Sequence, residues 1–316
     1  MLDLAIIGTG PAGLSAAIYA ARYLINFKIY GQIPGGQINE AHLVDNYPGI
    51  PGVTGEELVT RFNEHLKHLE VKTENILIKG IKKENGIFNI ILDSSDLEKA
   101  SVEAKNILLT IGTERIKLAI PGEAEFMGKG VSYCATCDAF FYRHKSVAVV
   151  GGSDSALTSA LYLADVAKEV YLIYRGKDLK AMPVWIEKAK ANSKIKIVLE
   201  RNITKVSGTN FVEEIELDKE FDGEKNLKVD GVFVEIGTTP NVALIKSLEI
   251  KTDDRGFIET DTAQKTNVPG VWAAGDITTG SNKFRQIVTA ASEGAVAVHD
   301  IYKNLKAAEK ETGKLG

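Results

Sequence analysis

A short apolar strand that runs straight into a glycine loop and an alanine-rich helix leaves a chain few folds to choose from, and this sequence does it twice. Leu2 to Ile7 enters Gly8-Thr9-Gly10-Pro11-Ala12-Gly13, and a helical pattern follows through Tyr23. Gly8 permits the tight turn, Gly10 lets the backbone reach a pyrophosphate, and Gly13 lets helix and strand pack closely. Pro11 and Ala12 open the helix, whose N-terminus offers free N–H groups to phosphate. Further on, Ser146 to Val150 enters Gly151-Gly152-Ser153-Asp154-Ser155-Ala156, with helix to Ala167 and a strand at Glu169 to Ile173. Ser153 stands where the backbone should lie closest to a pyrophosphate; it can donate a hydrogen bond there, but its side chain takes space. A hydrolase nucleophile elbow is excluded, because the glycine required two residues after the serine is Ser155.

The residues after each strand narrow the ligands. Phe27 to Tyr30 should end in an acid that grips a ribose, yet Tyr30 and Gly31 stand there, which weakens an NAD assignment for the first loop. Gly35-Gly36-Gln37 and Asn46-Tyr47-Pro48-Gly49 are turn-rich segments whose polar side chains could face a ring or a ribityl chain. Strands alternate from 75 to 111 and end at Gly112. Val271 to Ala274 is a strand ending in Gly275-Asp276, where Asp276 can accept hydrogen bonds from ribityl hydroxyls. Phe284-Arg285-Gln286-Ile287 and a helix over 288–304 follow, with 305–316 as a charged, frayed tail. After the second strand comes Tyr174-Arg175-Gly176-Lys177-Asp178-Leu179-Lys180. Here Arg175, Lys177 and Lys180 are within reach of a 2′-phosphate, so charge favours NADPH over NADH; a solvated basic turn is the alternative.

Both cysteines lie together in Ser132-Tyr133-Cys134-Ala135-Thr136-Cys137-Asp138. A zinc site needs three or four protein ligands, and neither a third cysteine nor a well-placed histidine pair is at hand; His65 and His68 belong to a charged amphipathic stretch. A purely structural disulfide gains little from closing so small a loop. A redox pair is the favoured reading.

A length of 316 residues allows two ordinary domains, and 44% apolar residues with mixed charge mark a globular protein. A net charge of −4 leaves no electrostatic footprint for nucleic acid. The apolar start is broken by Gly8, Gly10, Pro11 and Gly13, so it reads as strand, turn and helix rather than as a signal peptide. No run is long enough to span a membrane, and the expectation is a cytoplasmic protein whose disulfide is transient. The fold expected is α/β, with two Rossmann-like three-layer nucleotide-binding domains, the second inserted in the first. The first comprises 1–114 and 247–316 and the second 115–246, with crossings near 113–122 and 237–245.

The order and spacing of Gly8–Gly13, Gly35-Gly36-Gln37, Cys134-Ala135-Thr136-Cys137-Asp138, Gly275-Asp276 and Arg285-Gln286 resemble the low-molecular-weight thioredoxin reductases of bacteria and archaea. The resemblance covers the whole chain. It implies FAD at the first loop, held also by Asn46, Gly112 and Ile287, and NADPH at the second, with NADH possible, held by Gly151 to Ser155, Arg175 and Lys180. It further implies a homodimer acting on thioredoxin or a glutaredoxin-like protein. Cys137 would sit against the flavin, Cys134 would attack the substrate disulfide, and Asp138 would manage the protons. The same resemblance implies a rotation of the NADPH domain about the two crossings. Three motifs depart from the family pattern: Ala139 replaces the glycine after the cysteine motif, Ser153 replaces a glycine of the second loop, and a His-Arg-Arg-x-x-x-Arg signature has become Tyr174 to Lys180 with one arginine. Lysine cannot reproduce the bidentate fork of arginine, so a donor such as ferredoxin is the alternative. From a different class, a flavin-binding redox sensor would carry the same pair.

Overall fold

β1 (Leu2–Ile7) is an unbroken apolar run because it lies inside a sheet, with parallel neighbours on both sides. Its side chains alternate between two cores: Leu4 and Ile6 face one, Ala5 and Ile7 the other. The computed structural model describes residues 1–41, 44–94, 100–240, 243–311 and 313. The chain divides into one unit formed by Met1–Glu114 with Thr239–Gly316, and a second formed by Arg115–Thr238.

In the first unit β1 leads to α1 (Pro11–Arg22), β2 (Phe27–Tyr30), α2 (Gly55–His68), β3 (Thr73–Glu74), β4 (Ile78–Glu84), β5 (Ile87–Leu92) and β6 (Ser101–Leu109). Pro11 sits in the first turn of α1, where its missing N–H costs nothing and its fixed φ suits the helix. α2 begins on a capping box: the Glu57 N–H donates to the Thr54 hydroxyl at 3.1 Å, and the Thr54 N–H donates to the Glu57 carboxylate at 2.8 Å. The sheet runs β3-β2-β1-β6-β5-β4. Its β3-β2-β1-β6 part is parallel, and its β6-β5-β4 part is antiparallel.

β7 (Thr113–Arg115) carries the chain into the second unit. That unit comprises β8 (Val131–Ser132), α3 (Ala135–Asp138), β9 (Ser146–Val150), α4 (Asp154–Val166), β10 (Glu169–Tyr174), α5 (Pro183–Ala191), β11 (Ile195–Leu199), β12 (Ile203–Gly208), β13 (Val212–Phe221), β14 (Glu224–Lys228) and β15 (Gly231–Val234). A parallel sheet, β11-β10-β9-β15-β8, lies between two layers. Val147 and Val149 pack with Leu157, Leu163 and Ala189 of the helices. Ala148 and Val150 pack with Val206, Ile215 and Leu227 of the antiparallel sheet β12-β13-β14.

The return strand β16 (Thr238–Pro240) pairs with β7. β17 (Val271–Ala273) then joins β6 in parallel, and α6 (Ile287–Glu311) closes the first unit. The helix continues beyond 304, where a frayed tail was expected. Leu305 still packs on the core that α6 shares with α1, and Lys306 pairs with Glu309 at 2.8 Å one turn on. Two Rossmann-like layers of helix and sheet are thus present, one interrupted by the other. Among the described residues no helix is long and apolar enough to cross a membrane.

α6 meets α1 where Gly294 lies against the Ala12 carbonyl, with no room for a β-carbon. Backbone faces backbone there, so neither side can yield by turning a side chain. Gly294→Ala is expected to destabilise the flavin-free protein by about 1–3 kcal/mol in urea unfolding, whereas Ala→Ser at the exposed Ala308 should change it by less than about 0.5 kcal/mol.

Candidate active site

The cysteine segment grows from the end of β8. The Ser132 hydroxyl accepts the Cys134 N–H at 3.0 Å, and the Tyr133 hydroxyl donates to Glu123 at 2.6 Å. Glu123 is buried and also accepts the N–H groups of Leu118 at 2.7 Å and Ala119 at 2.6 Å. One carboxylate therefore ties the preceding loop to the residue beside Cys134. Burial, and then the bond to Glu123, pushes the Tyr133 phenol far above its ordinary value, so it stays a donor.

Cys134 and Cys137 form a disulfide with their Cα atoms 5.4 Å apart. Cys134 is the N-cap of α3, and its Sγ accepts the Cys137 N–H at 3.1 Å. Cys137 is exposed and Cys134 half-buried. A backbone N–H thus already rests on one sulfur of the closed pair. Asp138 closes the short helix, and among the described residues it makes no hydrogen bond to either sulfur. Ala139, found where a glycine was expected, has φ −52° and ψ −34° and is buried, so ordinary helical backbone accepts its methyl. Phe140 and Phe141 follow, exposed to 74% and 67%, an unusual outlay of apolar surface beside a disulfide.

In the first unit the ends of β1, β6 and β17 gather the other candidates. Gly8 rests on Thr110 and Gly13 on the Gly8 carbonyl, each too near for a β-carbon. The Thr110 hydroxyl bonds the carbonyls of Ile7 and Gly8, both at 3.0 Å. At Gly10 and Gly112, by contrast, nothing lies within 4 Å of where a β-carbon would stand. The Gly35 N–H donates to the Thr9 carbonyl at 2.8 Å, which sets Gly36 beside Gly10. Gln37 donates to the Thr113 carbonyl. Asn46 donates to Gln286 at 2.9 Å across 240 residues of sequence. Ile287 opens α6 and packs with Ile38 and Val59.

Gly275 and Asp276 are fixed by Glu293, a residue the sequence reading missed. This buried carboxylate accepts the Gly275 N–H at 2.8 Å, the Thr278 hydroxyl at 3.1 Å and the Ser281 hydroxyl. Its only signal in the sequence is a charge among Ala290, Ala291, Gly294 and Ala297. Arg285 is held as firmly: it lies 3.8 Å over the Phe257 ring and donates to the Asp276 carbonyl at 3.1 Å. The Asp276 side chain itself accepts no hydrogen bond among the described residues. A desolvated acid without donors, an uncapped α1 N-terminus with no acid in its first turn, and open space over Gly10 all fit a dinucleotide with hydroxyls. Tyr30 reads no ribose: its ring is buried in the core with Ile7 and Ile90, and among the described residues its hydroxyl has no hydrogen-bond partner.

The second loop turns on Gly151, at φ 148° and pressed on the Glu235 carbonyl. The buried Glu235 carboxylate accepts from Arg115 at 2.7 Å and Ser159 at 3.0 Å, another organiser absent from the sequence reading. Ser153 is the exposed N-cap of α4, its hydroxyl 3.2 Å from that of Ser155. Asp154 accepts the Met182 N–H at 2.6 Å, and the Gly152 carbonyl accepts the Lys180 N–H at 2.7 Å. Arg175, Lys177 and Lys180 are exposed. The Tyr174 ring lies directly on Gly152, too near for a β-carbon there.

An oxidised cysteine pair in one nucleotide-binding unit and an open dinucleotide cradle in the other place the chain among the pyridine nucleotide-disulphide oxidoreductases, whose sequence profile matches residues 2–294. Within that class it belongs to the thioredoxin reductase family. The thioredoxin reductase of Helicobacter pylori is 38% identical over 97% of this chain and 99% of its own. The crystal structure of the Lactococcus lactis thioredoxin reductase matches with a TM-score of 0.89 at 34% identity, covering 96% of this chain and 98% of that one. A ferredoxin-flavin thioredoxin reductase from Clostridium acetobutylicum matches with a TM-score of 0.52 at 32% identity, over 97% and 98%. Membership implies a flavin and a nicotinamide nucleotide.

Burial pushes the Asp276 carboxyl up to about 6; Arg285 opposes the shift and Glu293 adds to it. A raised value means that the folded chain prefers the protonated acid. Stability from this group is therefore full below about pH 4 and lost as the pH rises through about 6. Asp276→Asn is expected to stabilise the flavin-free protein by on the order of 2 kcal/mol at about pH 7.5, with the gain vanishing at about pH 4, as read by urea unfolding at the two values.

Proposed function

We propose that the chain takes electrons from NADPH through FAD to the Cys134–Cys137 disulfide and passes them to oxidised thioredoxin or a glutaredoxin-like protein, as a cytoplasmic homodimer. The observation that carries this reading is the Cys137 N–H on the Cys134 Sγ, 3.1 Å apart, which prepares one sulfur of the pair as the nucleophile. FAD would be held by Gly8, Gly10, Pro11, Ala12 and Gly13 at its pyrophosphate, by Asp276 at its ribityl hydroxyls, and by Gly35, Gly36, Gln37, Asn46, Gly112, Gly275, Arg285, Gln286 and Ile287 around it. When bound, it supplies the two electrons that open the disulfide.

The reduced pair then acts on its own. The Cys134 thiolate attacks one sulfur of the substrate disulfide, forming a mixed disulfide and expelling the other substrate sulfur as a thiolate. Cys137 loses its proton and attacks the Cys134 sulfur of that bond. The Cys134–Cys137 disulfide returns, and the substrate leaves with two thiols. Asp138, next to Cys137 in α3, is the candidate to take and return the protons.

A second reading has a specific observation behind it. Tyr174 covers the ribose position of the second loop, and a structural relative is a ferredoxin-flavin enzyme, so the donor to this flavin would be a reduced iron–sulfur protein. Anaerobic titration of the flavoprotein separates the two: bleaching of the visible band by NADPH, reversed by oxidised thioredoxin, supports the first. Bleaching by dithionite alone supports the second.

Cysteine variants test the roles. Cys137→Ser is expected to accumulate a mixed disulfide between Cys134 and thioredoxin that survives non-reducing electrophoresis, while Cys134→Ser should form none and keep its flavin reducible. A trap formed by Cys134→Ser instead would reverse the assignment.

A further inference from the structure

The strand-end residue of a dinucleotide loop normally turns its side chain toward the adenosine ribose. At the end of β10 that residue is Tyr174, and its ring is wedged between two glycines. A β-carbon on Gly152 would lie 2.6 Å from the ring's Cγ and Cδ2, and one on Gly176 would lie 2.5 Å from its Cε1. The glycines on either side are what make room for the ring.

The backbone around it is fastened. Lys180 donates to Gly152 at 2.7 Å, Met182 to Asp154 at 2.6 Å, Glu200 to Gly176 at 3.2 Å and Arg201 to Tyr174 at 3.3 Å. The crevice therefore cannot widen by moving the 175–182 segment without breaking these bonds. The ring is the movable part. It is half-buried, and its hydroxyl makes no hydrogen bond among the described residues.

We propose that Tyr174 is the specificity-determining residue of the second loop: its ring occupies the ribose position, and a nicotinamide nucleotide binds only when the ring swings off Gly152. The same packing explains the gap in the basic turn. A side chain at 176 would collide with the ring, so a guanidinium that could reach a 2′-phosphate is excluded there while Tyr174 is in place. Recognition of that phosphate falls to the exposed Arg175, Lys177 and Lys180. This inference rests on the proposed function only in taking the second loop as a nucleotide site.

The test is calorimetric titration of the oxidised flavoprotein with 5′-AMP and with 2′,5′-ADP, probes that need no turnover. Tyr174→Ala is expected to tighten both by about tenfold or more, and Tyr174→Phe, which keeps the ring, to bind as the unaltered protein does. Gly176→Arg alone should not tighten 2′,5′-ADP. In the Tyr174→Ala background it should favour 2′,5′-ADP over 5′-AMP by about tenfold. Unchanged or weaker binding in Tyr174→Ala, tightening in Tyr174→Phe, or a full gain from Gly176→Arg alone would each overturn the proposal. Reduction of thioredoxin by dithionite-reduced unaltered protein, measured alongside, reports separately on the proposed function; its failure would remove that reading and leave the titration result standing.

Discussion

Three missing β-carbons hold the first nucleotide loop together. Gly8 lies on Thr110, Gly13 on the Gly8 carbonyl, and Gly294 on the Ala12 carbonyl, so strand, loop and two helices meet backbone to backbone at one place. That meeting leaves the N–H groups at the start of α1 uncapped, brings Gly35 and Gly36 in beside Thr9 and Gly10, and seats α6 where its Glu293 can reach the turn after β17. Larger residues would push these elements apart by more than a hydrogen bond can span.

Buried carboxylates do the remaining positioning. Glu123 braces the cysteine segment, Glu235 the second glycine loop and Glu293 the Gly275-Asp276 turn, each by accepting two or more bonds from groups that would otherwise be unsatisfied. An acid that is fully bonded is tolerated in a core, and one that lacks donors is driven toward its neutral form. Glu293 and Asp276, neighbours in one unit, show both cases. The one without donors follows directly on Gly275, whose N–H the bonded one holds.

Much of this was legible in the residues alone. Apolar runs bounded by glycine marked β1, β2 and β9 to the residue, because a buried parallel strand needs side chains suited to both faces. Glycine loops and the Cys-x-x-Cys pair carried their chemistry in their spacing. The bracing acids did not show, since a lone glutamate among alanines looks like a surface residue until its distant partners are known. Nor could the two strand-end tyrosines be told apart. Tyr30 turns into the core and its hydroxyl finds no partner among the described residues, whereas Tyr174 lies across a loop whose glycine admits it. The length of α6 was hidden for a similar reason: its charged end packs on the core through Leu305, a large apolar side chain set among charges and alanines.

The cap on α3 has a consequence for electron transfer. Because the Cys134 sulfur accepts the Cys137 N–H while the disulfide is closed, and a thiolate accepts more strongly than a disulfide sulfur, opening the bond leaves the turn braced by the same contact. The brace on the segment is therefore a backbone contact and not only the bond between the sulfurs. A wall fixed in this way belongs to the turn of α3 itself, and the sulfur–sulfur bond is the part laid across it.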